Sequence, residues 1–136
     1  MKLPKQLFPI GLLGALAVAL GALGAHFLKS RLDTGLITTD QLNGFDTAVK
    51  YQMYHVIGML LIVLLKNSYP GRALDAAYTL FLWGIILFSG SLYLLCTRGL
   101  MGADGLRFLG PVTPLGGLCF VAGWLCLAFS AIGKKR

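Results

Sequence analysis

The chain has 136 residues, 57% of them hydrophobic and 12% charged, with a formal net charge of +7. The charged share is about half the ~25% usual for soluble domains. A water-soluble fold of this size could not hide so much apolar surface, so a bilayer must be part of its solvent. Twelve Lys and Arg stand against five Asp and no Glu, an excess that in a soluble protein would suggest nucleic acid. Here the cations flank apolar runs and form no basic stripe with interleaved aromatics, which points to membrane orientation and away from a nucleic-acid partner.

The length suits one membrane domain covering residues 1–136. Charge-free intervals mark four spans: Gln6 to Leu28, Tyr51 to Leu65, Ala76 to Thr97 and Phe108 to Gly133. With their flanks they predict membrane helices at about 7–28, 47–66, 74–97 and 111–132, the second reaching full length by snorkelling of Lys50 and Lys66. The expected fold is therefore an all-α membrane protein, a four-transmembrane-helix bundle. Lys2, Lys5 and the small residues Ala22 and Gly24 fit a signal peptide in part, but the apolar run exceeds a typical signal core and three spans follow, so the first helix is expected to be retained.

Between the first two spans, Thr38-Thr39-Asp40-Gln41 reads as a capping box with Thr38 as N-cap, so the second helix is expected to start before the membrane. Asp46 and Lys50 form an i,i+4 pair in the favourable order. Ser68-Tyr69-Pro70-Gly71 is a turn signal, and Thr113 before Pro114 resembles an N-cap with proline at the first helical position. With both termini inside, one side carries Lys2, Lys5, Lys66, Arg72, Lys134, Lys135 and Arg136 and the other Lys29, Arg31, Lys50, Arg98 and Arg107. That bias predicts N-in and C-in topology.

Eighteen glycines, about twice the ~7% background, suit close helix approach in lipid. Gly14, Val18, Gly21 and Ala25 form a small-residue stripe on the first helix, and Gly116, Cys119 and Gly123 another on the fourth. Gly90 is a further packing candidate on the third. The three cysteines, Cys96, Cys119 and Cys126, form no C-x-x-C pair and read as small packing residues.

Polar side chains inside a membrane are costly and each needs a reason. Counting ~1.5 Å per residue from flanking charges, His26, His55 and Tyr93 all fall in the outer half. Tyr51, Gln52 and His55 share a face of the second helix, and Ser89, Tyr93 and Cys96 a face of the third, while Ser91 points elsewhere. The candidate polar site is thus His26, Tyr51, Gln52, His55, Ser89 and Tyr93. It admits three readings: hydrogen-bonded glue between helices, a small-molecule or lipid binding or transport site, or metal or haem coordination by His26 and His55. Tyr54, Tyr78, Trp83 and Trp124 read as interface or packing aromatics. No catalytic constellation is present: G-x-S-x-G is absent around Ser89 and Ser91, there is no glutamate, and the aspartates lie in loops or interfaces. No cofactor is predicted; the expected partners are the lipid bilayer and, as homo-oligomer or hetero-complex, other membrane proteins.

Four motifs in order carry a resemblance: Gly21-Ala22-Leu23-Gly24-Ala25-His26, Thr47-Ala48-Val49-Lys50-Tyr51-Gln52-Met53-Tyr54-His55, Phe88-Ser89-Gly90-Ser91-Leu92-Tyr93 and Thr113-Pro114-Leu115-Gly116-Gly117. Together they resemble the YgdD/YwdK-like family (domain of unknown function 423) of small bacterial inner-membrane proteins, to which eukaryotic transmembrane protein 256 is similar. The resemblance implies four membrane helices, a retained first helix and a cell inner membrane location. It implies no activity.

Overall fold

The computed structural model describes residues 3–132, so Lys2 and the Lys134-Lys135-Arg136 segment invoked for topology lie outside the described residues. Four helices are long and apolar enough to cross a membrane. We label them α1 (Leu7–Leu28), α2 (Thr39–Ser68), α3 (Arg72–Thr97) and α4 (Val112–Ser130). A 3₁₀ turn, Asp104–Leu109, precedes α4. Among the described residues there is no strand.

Local chemistry explains the helix ends. Pro9 falls in the first turn of α1, where its missing N–H has no intrahelical acceptor to lose. Thr38 caps α2 as its spacing to Gln41 predicts: its hydroxyl accepts from the Gln41 N–H at 3.2 Å, and the Gln41 side chain accepts from the Thr38 N–H at 2.9 Å. Thr38→Ala is expected to cost about 0.5–2 kcal/mol and to speed hydrogen exchange of the Asp40–Asn43 amides. Unchanged exchange there would show that the cap does not hold the helix start. At the other end, Lys66 and Asp75 form an ion pair across the short turn between α2 and α3. The expected cap at Thr113 is not formed. Helix α4 begins at Val112 behind Pro111 with no side-chain cap, because the Thr113 hydroxyl is engaged with Ser91 of α3 at 2.6 Å.

Helix α1 packs on α2, α2 also packs on α3, and α3 with α4 forms the most extensive seam. The main core gathers Met59, Ile62, Ala77, Phe81, Ile85 and Phe120, with Ile10 closing it from α1. A smaller one holds Leu28, Ile37, Phe45 and Cys96 near the loop ends.

Of the glycines expected at helix contacts, Gly116 makes the closest approach: a Cβ there would meet the Phe88 backbone nitrogen at 2.3 Å. At Gly123 it would meet the Phe81 ring at 2.6 Å, whereas Gly14 and Gly21 stand in ordinary contact with Val56 and Val49 of α2 at 3.5 and 3.4 Å. Ala25 is exposed beside α2. Gly90 meets no neighbouring helix within 4 Å.

Two single-turn π segments interrupt the helices, at Gly24–Leu28 in α1 and Ile85–Ser89 in α3. Each shifts the residues after it around the helix relative to a regular α count, so face assignments extrapolated past them change.

Candidate functional site

The count from flanking charges puts His26 and His55 at similar depth, and the helix register does not. That count treats Lys29 and Lys50 as lying level, but the α1–α2 register sets Lys50 opposite Leu20, nine residues short of Lys29, on a helix that starts at Thr39 as the capping box predicts; Lys50 reaches back one turn to Asp46 at 2.6 Å. Gln52 and His55 therefore flank the middle of α2, within about one turn, or ~5 Å, of its midpoint.

Gln52 is 1% exposed and ties three helices. Its Nε2 donates to the Leu13 carbonyl of α1 at 2.8 Å, and its Oε1 accepts from the Tyr93 hydroxyl of α3 at 2.8 Å. One turn toward the loop end, the fully buried Ser89 hydroxyl donates to the Ala48 carbonyl of α2 at 2.8 Å. On the far side of α3, Ser91 donates to Phe88 O at 3.0 Å and so accepts from Thr113 of α4.

His55 closes the network. Its Nδ1 lies 2.7 Å from the Tyr51 carbonyl, and its Nε2 lies 3.1 Å from the Trp124 indole nitrogen. A carbonyl only accepts and an indole N–H only donates, so Nδ1 carries the hydrogen and Nε2 the lone pair: the ring is a neutral imidazole with both nitrogens engaged. It stacks on Phe120 with centroids 3.5 Å apart and planes 10° from parallel, and Phe81 meets it in a T-shaped contact at 5.0 Å. Among the described residues, no buried side-chain nitrogen or oxygen lacks a partner.

Two predicted members stand apart. Tyr51 is 41% exposed; its ring packs on Phe88 at 4.9 Å, and its contribution to the network is its backbone carbonyl. His26 is exposed on the π turn of α1. The antiparallel register, Gly14 beside Val56, Gly21 beside Val49 and Gly24 beside Phe45, sets His26 level with Gly44. That is eleven residues and ~16 Å along the axis from His55, too far for the two imidazoles to share one metal ion or one haem iron, whose histidine ligands stand ~2 Å from the metal. No group of three His, Cys, Asp or Glu side chains gathers among the described residues.

The sequence reading missed Trp124 and Thr113 as members. Trp124 had a usable signal: it falls mid-span, away from the interfacial belt, where an indole N–H needs an acceptor supplied by the protein. Thr113 carried none, since a capping role accounts equally well for a threonine before proline.

Fold and site together define an α-helical four-span membrane protein whose buried polar side chains are each hydrogen-bonded to a neighbouring helix. The chain belongs to the family described as "Protein of unknown function (DUF423)", whose model matches residues 20–117. It is 39% identical to the UPF0382 membrane protein SH2409 of Staphylococcus haemolyticus, over 88% of this chain and 91% of that one. It is 37% identical to the UPF0382 membrane protein YwdK of Bacillus subtilis, over 94% of this chain and 97% of that one. The UPF0382 inner membrane protein YgdD of Escherichia coli is 32% identical, over 90% of this chain and 86% of the relative. No solved structure matches the chain.

Proposed function

We propose that this protein is a non-enzymatic packing module of the cell inner membrane, lying with both termini in the cytoplasm and associating through its lipid-facing surface with further copies or with other membrane proteins. The observation that carries the reading is the closure of the polar network. Gln52, His55, Ser89, Ser91 and Tyr93 are all engaged within the bundle, which leaves none of these five side chains free as an acid, base or nucleophile to act on a substrate. The inner-membrane location rests on the printed name of the Escherichia coli relative, and the topology on the distribution of Lys and Arg.

The test is gentle solubilisation of cells after brief in-membrane crosslinking. A reproducible oligomer or hetero-complex of fixed stoichiometry is expected. A protein that stays monomeric at native expression, with nothing crosslinked to it, contradicts the reading.

One observation favours a second reading, a small apolar ligand. Tyr51, Tyr54, His55, Gly117, Phe120, Val121 and Trp124 line an open groove of about 440 Å³ on the lipid-facing side of α2 and α4, within the size range of ligand sites. A bound lipophilic small molecule that survives purification and is lost in Gly117→Leu would support it. Purified protein that carries none under native extraction would count against it.

A further inference from the structure

A second groove lies between α1 and α2 near the loop that joins them. It is lined by Gly21, Gly24, Phe45 and Val49 together with the polar Lys29, Asn43 and Asp46. It encloses about 260 Å³ and is open on one side. The π turn Gly24–Leu28 forms its α1 edge, the kind of local irregularity found often at functional sites.

Its charges are exposed at a membrane-spanning helix pair and need a polar neighbour. Asp46 and Lys50 neutralise each other at 2.6 Å, while Lys29 has no ion-pair partner among the described residues. The groove is therefore left with one cation, Lys29, whose charge nothing in its lining offsets, because Asp46 is held by Lys50 from outside the lining; Asn43 adds an amide donor to the same lining. Depth follows from the register: Gly21 stands against Val49, one turn below Asp46, and Lys29 lies beyond the end of α1. The small residues thus lie toward the membrane-spanning part of the helix pair, and Lys29 toward the loop.

We propose that this groove holds one phospholipid with an anionic phosphodiester headgroup, its phosphate on Lys29 and Asn43 and the start of an acyl chain over Gly21, Gly24 and Val49. Small residues admit the chain, a cation selects the phosphate, and the lipid supplies the polar surroundings that the exposed Asp46–Lys50 pair requires.

The test is native mass spectrometry of the full-length protein released from nanodiscs holding equal parts of a phosphatidylglycerol, a phosphatidylethanolamine and an uncharged diacylglycerol. One retained phosphatidylglycerol is expected, and Lys29→Gln is expected to lower its occupancy about fivefold relative to phosphatidylethanolamine. Arg107→Gln, which removes an exposed cation from the other loop at the same end, is expected to leave occupancy unchanged. Thermal unfolding of both variants reports whether the bundle remains intact. Equal retention of all three lipids, or equal losses in the two variants, overturns the proposal. So does displacement of the lipid by inorganic phosphate, or a second copy of the chain found crosslinked through Lys29.

Discussion

Gly116→Ala is expected to lower bundle stability by about 1–3 kcal/mol, while Gly117→Ala, one residue along, is expected to be neutral or slightly stabilising. The contrast comes from what a methyl group would meet. At Gly116 it would stand 2.3 Å from the Phe88 backbone nitrogen and 2.7 Å from its Cα, so α3 and α4 must separate along their most extensive seam. At Gly117 the nearest atom is the Phe88 ring at 3.8 Å, an ordinary contact. Steric trapping in bicelles measures both variants. Equal effects at the two positions would mean that α3 and α4 do not meet closely at Gly116.

Gln52→Leu is the second large effect, with an expected loss of roughly 1–3 kcal/mol. Leucine keeps the volume approximately but removes both the donor to Leu13 of α1 and the acceptor for Tyr93 of α3. A Tyr93 hydroxyl left without its partner at this depth has no water to turn to. The loss should exceed that of Ser89→Ala, where one bond to the Ala48 carbonyl is removed and the carbonyl keeps its place in the α2 ladder.

The helices themselves were legible because membrane spans are read from composition and length, and the capping box at Thr38 is a local signal confirmed by both of its hydrogen bonds. Gln52, His55, Ser89 and Tyr93 were legible as a group for a related reason: polar side chains are costly in lipid and must face inward. Which of them meet was only partly legible. His26 looked equivalent to His55 because each was counted from the nearest lysine, and the helix register does not set Lys29 and Lys50 at one level. Gly90 shares a motif with Ser89 and Ser91 but follows directly on the π turn Ile85–Ser89, which has no signature in the sequence. The partnership of His55 with Trp124 and Phe120 depends on how α4 lies against α2, a relation set by tertiary packing rather than by any local spacing.

The polar residues of the core act as ties between helices. The most direct measurement is a double-mutant cycle between Gln52→Leu and Tyr93→Phe, with stability read in a lipid environment. The expected coupling is ~0.6 kcal/mol and at most ~1.7 kcal/mol, the average and the maximum for interhelical hydrogen bonds measured in a membrane, so that the double variant is less impaired than the two single changes added together. Two effects that simply add, with no coupling, would contradict it.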